Sequence, residues 1–122
     1  MLRVLIVDDD LSILRLMSRL LEGAGYQVRL ASCLSDALAC LETESFDLFI
    51  LDFWLGSENG LDVMRALRMA QPDAPVLFLS GGNQSIALET TTALAEMQGA
   101  AEFLYKPVPN LTLLEAVRRH IG

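Results

Sequence analysis

The sequence predicts an α/β fold: a (βα)₅ three-layer sandwich whose five-stranded parallel sheet is covered by helices on both faces. Two observations carry it. Five short apolar blocks rich in β-branched and leucine side chains alternate with five segments of helical periodicity, the order that favours parallel strands with right-handed crossovers. The residues that carry chemistry fall where those apolar blocks stop: Asp8 and Asp9, Asp52, Ser80 and Lys106.

The first block, Leu2 to Val7, is halted abruptly by Asp8 and reads as a buried strand. The segment 11–23 follows as a helix. Leu14, Met17 and Leu21 share one face, and Gly23 or Gly25 is placed to end it by accepting positive φ. Tyr26 to Ala31 is the second strand, and 34–43 the second helix, with Leu34, Ala37, Leu38 and Leu41 in helical register. Phe46 to Leu51 is the third strand. A helix over 60–70 has Leu61, Met64 and Leu67 on one stripe and stops before Pro72. Val76 to Leu79 forms the fourth strand, 84–97 a helix weakened by Thr90, Thr91 and Thr92, and Ala101 to Tyr105 the fifth strand. A last helix spans 111–121, with Asn110 as its expected N-cap and Leu114, Val117 and Ile121 facing inward.

At 122 residues the chain fits one domain, expected over 1–122, that buries roughly two-thirds of the surface its unfolded form exposes. With 52% hydrophobic residues in separated blocks, it has no run approaching the ~20 needed to cross a membrane. The N-terminus lacks the apolar core and cleavage site of a signal peptide. Cys33 and Cys40 lie seven positions apart across an expected helix, too far to bridge if it forms, which points to packing or partial exposure in a reducing cytoplasm. The net charge of −7 is the wrong sign for gripping nucleic acid by its phosphates, so no direct nucleic-acid binding is expected. The basic pair Arg118 and Arg119 is accounted for by the dipole of the terminal helix and by solvation.

In a parallel sheet the C-terminal strand ends share one edge, and the crevice there is the usual ligand site. Converging carboxylates from Asp8, Asp9 and Asp52 would repel one another, and a hard divalent cation would neutralise them. Mg²⁺ suits such oxygen ligands and a phosphoryl group at once. Asp52 is the candidate nucleophile, already ionised and able to form an acyl phosphate. Lys106 would pair with one phosphoryl oxygen and the Ser80 hydroxyl would donate to another. Individually each residue has a plainer role: an acidic first turn for Asp8 to Asp10, a turn for Asp52, a cap for Ser80, a solvated charge for Lys106. Their joint placement at four strand ends is what favours the chemical reading.

The segments VLIVDDD at 4–10, LFILDFWLGSENGLDV at 48–63, FLSGG at 78–82 and FLYKP at 103–107 resemble the response-regulator receiver family of two-component systems, in order and spacing across almost the whole chain. The resemblance implies a flavodoxin-like sheet of order 2-1-3-4-5. It implies phosphorylation of Asp52, with Mg²⁺ held by Asp8, Asp9, Asp52 and the backbone carbonyl of Trp54. It also implies Lys106 as the phosphate-binding lysine, Ser80 as the switch hydroxyl, Phe103 as the aromatic switch residue and a cis bond between Lys106 and Pro107. The implied partners are a histidine kinase or histidine phosphotransfer protein and a downstream effector or covalent output domain, with a homodimer as a further possibility. For Phe103, ordinary core packing is the competing role.

Two departures stand out. Gly56 takes a position where proline is frequent, and Trp54 is bulky: it either shields the site from water, contacts a partner or packs locally. The Ser80 to Lys106 interval is longer than usual, on the surface expected to signal. A haloacid-dehalogenase-type phosphatase would need a DxD nucleophile near the first strand, and a flavin carrier would need a phosphate loop where Asp8 to Asp10 stand. A receiver-like scaffold that binds partners without phosphorylation is the remaining alternative.

Overall fold

The computed structural model describes residues 1–55, 58–80 and 99–122, with the side chains of Trp54 and Leu55 outside the description. The expected helix over 84–97 and the departure at Gly56 therefore lie outside the described residues. Along the chain run β1 (Arg3–Val7), α1 (Leu11–Gly23), β2 (Gln27–Ala31), α2 (Leu34–Thr43), β3 (Leu48–Asp52), β4 (Trp54–Leu55), β5 (Glu58–Asn59), α3 (Gly60–Ala70), β6 (Val76–Ser80), β7 (Glu102–Tyr105) and α4 (Asn110–Ile121). Five parallel strands form one sheet in the order β2-β1-β3-β6-β7, which is 2-1-3-4-5 when its own strands are counted.

Burial explains why the central strands are so apolar. β3 and β6 are buried at every position, and β1 at all but Arg3. Alternate residues serve two cores. Leu5, Val7, Phe49, Leu51, Val76 and Phe78 pack with Ala37 of α2 and with Val63, Met64 and Leu67 of α3. Val4, Ile6, Leu48, Ile50, Leu77 and Leu79 pack on the opposite face with Leu14, Met17 and Leu21 of α1 and Leu113, Ala116 and Val117 of α4. A strand covered on both faces has no polar side, so it reads as a continuous apolar run.

The expected stripe on α1 is the observed one, and positive φ falls on Gly25. On α4 the cap is Pro109, not Asn110, which is already helical. The pyrrolidine ring holds Pro109 at φ −60°, and its carbonyl accepts the Leu113 N–H at 3.0 Å. The buried stripe of α4 accordingly centres on Leu113, Ala116 and Val117, while Leu114 and Ile121 are partly buried at its margins. Strand starts also move inward: Leu2, Tyr26, Phe46 and Ala101 precede their strands, although Tyr26 and Phe46 are buried. Ser80 is the last residue of β6. The β4–β5 hairpin was not expected, because two-residue strands carry no periodicity. Cys33 and Cys40 are both free thiols, and among the described residues no helix is long and apolar enough to cross a membrane.

At the edge of the sheet Arg119 is paired, beyond the dipole and solvation roles expected of it. Its Nη2 lies 2.7 and 2.6 Å from the two Glu102 oxygens, and His120 Nε2 lies 3.0 Å from Oε1. The Arg119 hydrogen bond, with help from His120 and against partial burial, holds the Glu102 carboxyl below its ordinary range. A depressed folded pKa gives stability that is fully present above the unfolded value of about 4.3 and is lost as pH falls through the lower folded value. Glu102→Gln is therefore expected to lose stability against wild type at pH 7 and at pH 5, with the gap closing below about pH 4. Urea titrations across that range measure it, and a gap independent of pH would rule out this ion pair as its source.

Candidate functional site

Where β1 ends, the backbone N–H of Asp8 bonds the Ala31 carbonyl of neighbouring β2 at 3.1 Å, which anchors the β1–α1 connection to the sheet. Asp8 itself is fully buried. Its Oδ1 accepts the Asp10 N–H at 2.9 Å and its Oδ2 accepts from Lys106 Nζ at 2.8 Å. The third acid is separated from the other two by its job: Asp10 is the N-cap of α1, accepting from the N–H groups of Ser12 at 2.9 Å and Ile13 at 3.4 Å. The acidic run is thus part helix cap and part site.

Asp52 closes β3 and is buried, with Phe53 pinned beyond it by a 2.8 Å bond from its N–H to the Leu79 carbonyl. Lys106 Nζ lies 3.5 Å from Asp52 Oδ2, so one ammonium touches both buried carboxylates. Burial pulls the Lys106 pKa down, but the bond to Asp8 and the charge of Asp52 more than offset that, leaving it above its ordinary value. The lysine is a fixed cation. Oxygens of Asp8, Asp9 and Asp52 all lie within 4.8 Å of one another, with Asp9 exposed to solvent. Three carboxylate oxygens that close, with Asp9 open to water, could hold a hard divalent cation.

Lys106 is delivered by the end of β7, where its N–H bonds the Ser80 carbonyl at 2.6 Å and its bond to Pro107 is cis. Ser80 is fully buried, and its Oγ has no hydrogen-bond partner among the described residues. A buried hydroxyl in that condition costs free energy unless a ligand or a rearrangement satisfies it. Trp54 sits in β4 with its backbone paired to Asn59.

Phe103 is half-buried on β7. Its ring contacts Phe53 at a centroid distance of 6.0 Å, Phe78 at 5.8 Å and Tyr105 at 5.7 Å. A chain of rings therefore runs from the residue after Asp52 to the exposed Tyr105 at the sheet edge. Phe103 is legible in the sequence, whereas Phe53 has no signal there beyond its place beside Asp52. Glu58, whose side chain accepts the Leu34 N–H at 3.1 Å from the start of α2, has no such signal either.

The family model described as the response regulator receiver domain matches residues 4–118. Among curated relatives, the alginate biosynthesis transcriptional regulatory protein AlgB of Pseudomonas aeruginosa is 40% identical over 106 residues, covering 86% of this chain and 22% of AlgB. This chain thus spans under a quarter of that protein's length. Among solved structures, the CheY-like response regulator receiver domain protein of Methanospirillum hungatei superposes with a TM-score of 0.89 at 30% identity, covering 99% of this chain and 94% of the other. A response regulator of Burkholderia pseudomallei, crystallised with a phosphorylated aspartic acid, a calcium ion and citrate, superposes with a TM-score of 0.82 at 32% identity, covering 100% and 67%.

Proposed function

The chain belongs to the response regulator receiver domain family, and from that premise we propose that residues 1–122 form one receiver domain that accepts a phosphoryl group on Asp52. The observation that carries this reading is the single lysine shared between buried Asp8 and Asp52, beside a cluster of three carboxylate oxygens. Asp8, Asp9, Asp52 and the carbonyl of Trp54 would hold Mg²⁺, which when bound neutralises the acids and spreads the charge of the transferring group.

Asp52 attacks the phosphorus of a phosphohistidine on a kinase or phosphotransfer protein. A carboxylate O–P bond forms, the N–P bond breaks, and the imidazole nitrogen leaves with the electron pair. No base is needed for the attack, since an ionised carboxylate has no proton to remove. Lys106, already cationic and within reach of Asp52, turns to a phosphoryl oxygen, and the Ser80 hydroxyl donates to another. Satisfying Ser80 Oγ favours a conformer in which Phe103 repacks among Phe53, Phe78 and Tyr105. That change at the edge formed by β7 and α4 would be read by a downstream effector, a covalent output domain or a second copy of the chain. The two free thiols support a cytoplasmic setting. The domain is proposed as a signalling module that assists its own phosphorylation and dephosphorylation, not as a turnover enzyme.

Intact-protein mass spectrometry after incubation with acetyl phosphate tests this directly. The expected result is a Mg²⁺-dependent gain of one phosphoryl group in the wild type and none in Asp52→Asn. If the folded wild type stays unmodified both with acetyl phosphate and with a phosphorylated kinase, the phosphorylation-independent scaffold is the better reading.

A further inference from the structure

Helix α2 begins without help from its own N-cap: Cys33 makes no side-chain capping bond. The donor of its first residue is met from elsewhere in the chain. Glu58 Oε1 accepts the Leu34 N–H at 3.1 Å, across 24 positions of sequence. Glu58 stands on β5, paired with Leu55, while neighbouring Asn59 pairs with Trp54. Asn59 also caps α3 through the Leu61 N–H at 2.8 Å, and Gly60 N–H bonds the Phe53 carbonyl at 2.8 Å. The two residues of β5 and the first residue of α3 are thus each tied by a hydrogen bond.

The segment reached by Glu58 also carries the opposite wall of the site. Ala31, three residues before Leu34, accepts the Asp8 N–H. Residues 31–34 therefore bridge the acidic β1–α1 connection and the hairpin that holds the Trp54 carbonyl. We propose that Glu58 is a positioning residue for the metal-dependent chemistry at Asp52: by capping α2 it holds the Trp54–Asn59 hairpin at a set distance from Asp8. This rests on the receiver reading above, in which Mg²⁺ is held between those two walls. Glu58 acts through its hydrogen bond to Leu34 and not through its charge.

The test is an amide NMR titration with MgCl₂, following residues 8, 9, 52 and 53, on wild type and three variants, with spectral dispersion reporting the fold of each. Glu58→Ala removes the acceptor. Leu34→Pro removes the donor at the first helical position, where proline is tolerated, and leaves the Glu58 charge in place. Glu58→Gln keeps an acceptor and removes the charge. Mg²⁺ affinity is expected to fall about tenfold in Glu58→Ala and Leu34→Pro and to stay within about twofold in Glu58→Gln. Equal affinity in all four proteins overturns the proposal while leaving the receiver reading standing, and so does a loss in Glu58→Gln matching that in Glu58→Ala with Leu34→Pro unaffected. Should Glu58→Ala not fold, Leu34→Pro against Glu58→Gln decides. Absence of any saturable shift in the wild type would overturn the metal-binding reading itself, and this proposal with it.

Discussion

Lys106→Ala is expected to destabilise the metal-free protein by about 3 kcal/mol at neutral pH, because breaking a buried ion pair strands the remaining charge. The Asp8 side chain is 1% exposed and that of Asp52 8%, and Lys106 sits 2.8 and 3.5 Å from them. The two carboxylates lie close enough to share that cation, so its loss exposes each to the other's repulsion as well as to poor solvation. The same reasoning predicts the opposite sign for metal binding. An ammonium among the carboxylates opposes a dication, so the variant should bind Mg²⁺ more tightly than wild type. At one Mg²⁺ concentration above both Kd values the variant should therefore regain more stability than wild type, the total gain of either being about 2.7 kcal/mol at a hundredfold excess over its own Kd. Urea denaturation with and without Mg²⁺ measures both effects. A loss under about 1 kcal/mol without metal would mean that water reaches the carboxylates and that the pair is worth no more than a surface one.

What the sequence could reveal follows from where burial leaves a mark. β1, β3 and β6 are covered on both faces, so Leu5 to Val7, Leu48 to Leu51 and Val76 to Leu79 are unbroken apolar runs that no helix surface would carry. The stripes of α1 and α3 were legible because each helix shows only one face to the core: Leu14, Met17 and Leu21, then Leu61, Met64 and Leu67. α4 was less so. Its entry is set by Pro109 rather than by a polar cap, and the inward stripe turns by a residue toward Leu113 and Ala116.

The site divides in the same way. Asp8, Asp9, Asp52 and Lys106 are charges set against the ends of apolar strands, so their convergence follows from the sheet being parallel. Contacts that depend on register or on a neighbouring loop left no pattern. The Phe53–Phe78–Phe103 ring cluster needs β6 and β7 aligned so that Phe78 faces Phe103. The Glu58 cap joins a two-residue strand to a helix 24 positions away. The Glu102–Arg119 pair similarly joins an edge strand to the final turn of α4.

Gly60 carries the second large effect, and its reason is contact, not backbone conformation. A Cβ there would stand 2.8 Å from the Phe53 Cα, 2.9 Å from the Phe53 carbonyl oxygen and 3.0 Å from the Phe78 ring. Two of those three neighbours are backbone, which cannot rotate away. The ring is also confined, since Phe78 is fully buried and packed edge-on against Phe53 at 5.4 Å. Phe53 is held on both sides, by its N–H to Leu79 and by its carbonyl to Gly60. Any relief must therefore push α3 outward or tear Phe53 from β6, and the latter moves Asp52. Gly60→Ala is expected to cost about 2 kcal/mol and Gly60→Val about 3 kcal/mol or more, the upper range for overpacked interiors. Denaturant titration checks the stability. Amide shifts of Asp52 and Phe53 in whatever fraction remains folded show which way the strain is released. If Gly60→Val lost less than about 1 kcal/mol, overpacking at this contact would be ruled out. The close approach of α3 to the end of β3 would then be incidental, and Asp52 would be placed by the β3 ladder and the Phe53–Leu79 bond alone.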